Sequence, residues 1–131
     1  MALRNNRKAR PLCAAATLVV LVVEDDALLL YSIAHALRGE GWLVLEARTG
    51  AEAIAHLDAS KRVDVVFTDI QLLGPLSGWD VADACRSSRH DMPVIYTSGN
   101  AADRRRAVAG SHFFDKPYDA ASVVRACRQC A

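Results

Sequence analysis

The sequence predicts an α/β fold, a doubly wound five-stranded parallel sheet flanked by five helices, and three observations carry that prediction. Apolar β-branched runs alternate with segments of helical apolar spacing, the pattern of βαβ units around a parallel sheet. The connections between them are short, and right-handed crossovers then leave few topologies. The 131 residues, 52% hydrophobic and 24% charged, suffice for one globular domain with its own core and no staple of disulfides or metal.

The elements follow in order. Thr17 to Val23 contains five β-branched residues and reads as a buried strand. From Ala27 to about Arg38, Leu30, Ile33, Ala34 and Leu37 share one helical stripe, closed by Gly39 and Gly41. Trp42 to Ala47 is the second strand. Thr49 caps a helix reaching about Ser60, and Glu52, three residues on, completes a capping box. Val63 to Thr68 is almost wholly apolar, which makes it a central strand. After an irregular loop rich in Gly and Pro, the third helix runs from about Gly78 to Ser88. The fourth strand, Pro93 to Thr97, ends in Ser98, Gly99 and Asn100. A helix over roughly Ala101 to Ala109 has the least support, because Asp103 to Arg106 is a charged run with little apolar stripe. His112 to Asp115 is a short fifth strand, and Asp119 caps a last helix ending near Cys130.

Charge divides the chain unevenly. Residues 1–16 carry Arg4, Arg7, Lys8 and Arg10 and no acid, and read as a loosely ordered basic arm before a folded domain over 17–131. That domain holds 12 basic against 15 acidic residues, a balance of −3, so it has no nucleic-acid footprint of its own. The apolar run Leu12 to Val23 has twelve residues, too few to span a bilayer. It is followed by Glu24, Asp25 and Asp26 rather than a cleavage site, so the expectation is neither export nor a membrane but the cytoplasm. Cys127 and Cys130 have C-x-x-C spacing but close the chain without a second ligand pair, and read as core thiols rather than a zinc or dithiol site.

In a doubly wound sheet, chemistry sits beyond the carboxyl ends of the strands. Glu24, Asp25 and Asp26 follow the first strand, Asp69 the third, Ser98 the fourth and Lys116 the fifth. Carboxylates gathered there repel one another by roughly 4 kcal/mol per pair at about 4 Å. Lys116 answers one charge of Glu24, Asp25 and Asp69, and the remaining −2 suits a divalent ion. An all-oxygen donor set with few protein groups points to magnesium. Each residue alone has a plainer reading: acids beginning a helix, turn residues, a solvated lysine, and for Phe113 a core aromatic.

Four segments taken together say more. Val22-Val23-Glu24-Asp25-Asp26, Phe67-Thr68-Asp69-Ile70-Gln71, Ser98-Gly99 after a Pro-Val-Ile strand, and Phe113-Phe114-Asp115-Lys116-Pro117 resemble, in order and spacing, the receiver domains of bacterial two-component response regulators. The resemblance covers about residues 17 to 130. It implies the flavodoxin-like strand order 2-1-3-4-5 and makes Asp69 the acceptor of a phosphoryl group from a sensor histidine kinase or a phosphotransfer protein. It implies Mg2+ held by Glu24, Asp25, Asp69 and the backbone carbonyl of Gln71, with Ser98 and Lys116 on the phosphoryl oxygens. Ser98 and Phe113 become the switch pair, and Lys116–Pro117 a cis peptide. Such a chain acts on no other substrate; it catalyses only its own phosphorylation and dephosphorylation. A chain stopping at Ala131 is expected to be a single-domain receiver, which acts through a downstream protein target or as a phosphate relay or sink, with no direct nucleic acid and with room for a homodimer.

Two departures stand out. Leu73 occupies a position where the family usually has proline, and Gly74-Pro75-Leu76-Ser77-Gly78 is one residue longer than common, so a different turn is expected there. Two competing functions remain: a vestigial receiver serving as an interaction module, and a small phosphatase with Asp69 as nucleophile. The second is disfavoured because Gln71 stands where its second aspartate belongs.

Overall fold

The computed structural model of the chain describes residues 17–99 and 104–130; the basic arm, the start of the expected fourth helix, Asn100 and Ala131 lie outside them. Strands β1 (Val19–Val23), β2 (Leu43–Ala47), β3 (Val65–Asp69), β4 (Val94–Ser98) and β5 (His112–Asp115) are parallel and lie in the order β2-β1-β3-β4-β5. Helices α1 (Ala27–Gly39), α2 (Gly50–Asp58), α3 (Gly78–Ser88) and α4 (Ala120–Cys130) complete the described fold.

Strand pleating explains why the three central strands are buried throughout. Val20 and Val22 of β1 point into a core with Leu30, Ile33 and Leu37 of α1 and Val123, Val124 and Cys127 of α4. Leu21 and Val23 point the other way, into a core with Ala53 of α2 and Val81, Ala82 and Cys85 of α3. With both faces covered, these strands read as continuous apolar runs, and their polar residues are pushed to the ends.

The helix count needs correction: the described residues hold four α-helices, not five. Where the fourth was expected there is a single 3-10 turn, Arg104–Arg106. None of its three arginines is buried, and a helix without an apolar stripe to set against the core gains little from packing. The turn is held instead by side chains: Arg106 Nη2 pairs with Asp80 at 3.4 Å and Asp83 at 3.2 Å, and Tyr96 OH accepts from the Val108 N–H at 3.1 Å.

The expected capping box at α2 is half formed. Thr49 Oγ1 accepts from the Glu52 N–H at 3.1 Å, but Glu52 Oε1 accepts from the N–H of Arg48 at 2.7 Å, one residue before the cap. The closed box lies at α3, where Ser77 Oγ accepts from the Asp80 N–H and Asp80 Oδ2 accepts from the Ser77 N–H. The loop before α3 turns at Gly74, φ +93°, and exposes Leu73. It ends at Gly78, where a Cβ would lie 2.2 Å from the Asp69 carbonyl oxygen. Only glycine lets the helix start so close beneath the end of β3.

Candidate functional site

The chain places its polar strand ends along one edge of the sheet. Glu24 follows β1, and its N–H donates to the Ala47 carbonyl at 3.0 Å. Its carboxylate, 2% exposed, accepts from the Asp26 N–H at 3.1 Å through Oε2. Asp69 closes β3, is buried, and accepts from the Gln71 N–H at 3.3 Å through Oδ1. Lys116 follows β5, and its N–H donates to the Ser98 carbonyl at 2.9 Å. That bond ties the ends of β4 and β5 together, and the Lys116–Pro117 peptide bond is cis.

Lys116 spans the gap between the two buried acids. Its Nζ lies 2.8 Å from Asp69 Oδ2 and 3.3 Å from Glu24 Oε1. Asp25 stands at the mouth, less buried, and one carboxylate oxygen from each of Glu24, Asp25 and Asp69 falls within 4.8 Å of the other two. Asp25, Asp69, Gln71, Leu72, Leu73, Gly99 and Lys116 line an open cleft there. The donors are hard oxygens and the charge is negative, which fits a small divalent cation such as Mg2+. Among the described residues, no helix is long and apolar enough to cross a membrane.

Electrostatics follow from this crowding. Burial pushes the Glu24 carboxyl above its ordinary value; the Asp26 N–H works against that rise, and the Asp69 charge adds to it. For Lys116, burial pulls downward, but the hydrogen bonds and charges of Asp69 and Glu24 outweigh it and hold the ammonium above the usual lysine value. The site thus favours a proton on Lys116 and disfavours a second negative charge beside Asp69.

The remaining predicted residues lie on β4 and β5. Ser98 is the last residue of β4 and buried. Phe113 on β5 faces α3, its ring centroid 5.0 Å from Tyr96 and 6.2 Å from Trp79, with the Arg104 guanidinium carbon 4.0 Å from its centroid. One neighbour of the site escaped the sequence reading: Arg48, whose Nη2 donates to the carbonyl oxygen of Asp25 at 2.9 Å. A surface arginine after an edge strand carries no sequence signal that would single it out.

Comparison with known proteins shows the family. The family model of the response regulator receiver domain matches residues 20–128. The chain is 37% identical over 109 residues to the probable transcriptional regulatory protein TcrX of Mycobacterium tuberculosis, a match covering 80% of this chain and 46% of TcrX. It is 31% identical over 113 residues to the sensory transduction protein RegX3 of Mycobacterium bovis, covering 83% of this chain and 48% of RegX3. The chain therefore spans about half the length of the curated relatives it matches. Among solved structures, a response regulator receiver protein from Sinorhizobium medicae superposes with a TM-score of 0.83 at 33% identity, over 89% of this chain and 96% of its own. The chemotaxis response regulator CheY4 of Vibrio cholerae, at 21% identity and a TM-score of 0.77 over 88% and 100% of the two chains, shares the fold. A family match running from β1 into α4, on a sheet with this strand order, makes the chain a member of the response regulator receiver domain family.

Proposed function

We propose that this receiver domain of two-component signalling accepts a phosphoryl group on Asp69 from a phosphohistidine of a sensor histidine kinase or phosphotransfer protein, and that the transfer changes a protein-binding surface. The observation that carries this reading is the Lys116 ammonium, 2.8 Å from the buried Asp69 carboxylate. It keeps an anionic nucleophile next to a fixed cation, where negative phosphoryl oxygens arrive.

The chemistry balances simply. An Asp69 oxygen bonds to phosphorus as the N–P bond of the donor phosphohistidine breaks, the electron pair stays on the imidazole nitrogen, and the product is an acyl phosphate. Such transfers ask mostly for positioning and charge stabilisation. Glu24, Asp25, Asp69 and the Gln71 carbonyl are the groups that would hold Mg2+, which when bound neutralises charge on the phosphoryl oxygens. Lys116 pairs with one of those oxygens, and the Ser98 hydroxyl donates to another. An inward move of Ser98 opens room for the Phe113 ring, a packing change biased by a local charge event. The surface altered is the one around β5 and the Arg104–Arg106 turn. We assign the folded receiver to residues 17–131 and the protein to the cytoplasm, with a protein target or a second copy as the output partner.

The test is intact mass after incubation with acetyl phosphate and Mg2+, with Asp69→Asn alongside. A gain of about 80 Da, one phosphoryl group, in the wild type alone supports the reading. No gain in the wild type with either acetyl phosphate or a phosphorylated kinase favours the vestigial interaction module instead.

A further inference from the structure

The turn joining β2 to α2 touches both loops that wall the acidic cleft. On one side, Arg48 Nη2 donates to the Asp25 carbonyl at 2.9 Å, beside the Glu24 N–H bond to Ala47 O at 3.0 Å. On the other side, Thr49 forms an isolated parallel bridge with Leu73, an exposed residue of the loop before α3. Arg48 is itself fixed from behind, because its N–H donates to Glu52 Oε1 at 2.7 Å. That is the carboxylate a closed capping box would have turned onto Thr49.

Asp25 needs such a hold more than its two partners do. Glu24 and Asp69 are buried and each is bonded to Lys116. Asp25 is less buried and is reached by Arg48 through its main chain. We propose that Arg48 is a positioning residue for the divalent cation of this cleft, bracing the loop that delivers the Asp25 carboxylate. The inference rests on the metal reading of the acidic cluster given above.

Two effects of opposite sign separate a brace from a mere neighbouring charge. As a cation bonded to the loop that carries Asp25, Arg48 repels Mg2+, so by charge alone its removal tightens binding. As a brace, its removal frees the Asp25 loop and weakens binding. An exposed charge is screened by salt and worth little, whereas groups that orient metal ligands commonly matter by about 10–100-fold in affinity. The brace therefore dominates.

The experiment is calorimetric titration of the full chain with Mg2+ at about 0.15 M salt, comparing wild type, Arg48→Ala, Arg48→Lys and Asp25→Asn, with thermal unfolding in EDTA as the check on folding. The expected result is about tenfold weaker binding for Arg48→Ala, an intermediate loss for Arg48→Lys, and little change in Tm for either. Unchanged or tighter binding by Arg48→Ala, with wild type binding and Asp25→Asn impaired, overturns the brace and leaves the metal reading standing. Should Arg48→Ala fail to fold, Arg48→Lys decides: affinity equal to wild type overturns the brace. Absence of Mg2+ uptake by the wild type overturns both readings.

Discussion

Glu24 shows what the site costs its own residues. Nearly enclosed at 2% exposure, its carboxyl is pushed by burial, and by the Asp69 charge, above the ordinary value of 4.5 despite the Asp26 N–H. The folded chain therefore binds this proton more tightly than the unfolded chain. Its contribution to stability falls as pH rises from about 4.5 through the raised folded value, and stays low above that. Replacing Glu24 by Gln keeps the shape without the charge. At pH 7 in EDTA the Glu24→Gln variant is expected to melt higher than wild type while binding Mg2+ more weakly; a lower Tm would refute the cost assigned here. Lys116 runs the opposite way, with its raised pKa contributing stability fully below 10.5 and losing it as pH climbs through the folded value. Lys116→Ala leaves two buried acids unanswered, and should lose about 3 kcal/mol in urea unfolding without metal, the low end for a partly exposed partner, part of it restored by Mg2+. These residues were legible in the sequence because each is polar where an apolar strand ends. Arg48 was not, since its contact joins positions 23 apart through a main-chain oxygen, and no spacing rule announces that.

At the scale of elements, the caps separate what a pattern can and cannot say. Thr49-x-x-Glu52 matched the capping-box pattern, yet the glutamate turned to Arg48, because a three-residue spacing brings the carboxylate near the cap without choosing between adjacent N–H groups. Ser77-x-x-Asp80 formed the closed box, although its aspartate falls outside the usual Glu or Gln. Ser77→Ala should therefore cost about 1 kcal/mol, read as a shift in urea midpoint at unchanged slope. The Ser77 N–H, with its hydroxyl and Arg106 in support, holds the Asp80 carboxyl below its ordinary 3.8. Its contribution is thus complete above that value and is lost as pH falls through the lower folded one, so Asp80→Asn should flatten the acid limb of the stability curve. Gly78→Ala sets a methyl against the Asp69 carbonyl, backbone that cannot step aside, and is expected to cost roughly 1–3 kcal/mol and to displace Asp69. That the described residues 104–109 hold a 3-10 turn and no α-helix follows the same physics, for a run of arginines offers little apolar stripe to bury.

Over the whole molecule, the sheet divides the interior into two cores that share no helix, α1 with α4 on one side and α2 with α3 on the other. That division was readable from alternating strand and helix periods. The strand order was not, and came from the family likeness, because hydrophobic period tells which face a strand buries but not which neighbour it takes. Each core contains one fully buried cysteine, Cys127 in the first and Cys85 in the second, and burial pushes both thiols up to about 12. At pH 8 both are protonated and sheltered, so neither should react with iodoacetamide in the folded protein. They also report on opposite faces of one sheet. β1 and β3 contribute side chains to both cores, so neither core can come apart without exposing strands that the other needs. Labelling followed by peptide mass across a urea series is then expected to give the same midpoint for Cys85 and Cys127, as a two-state domain requires. Separate midpoints would mean that one helical layer detaches first. The earlier thiol to react would name the layer, and so whether β4 and β5 can loosen at Phe113 without disturbing the helix that follows Glu24, Asp25 and Asp26.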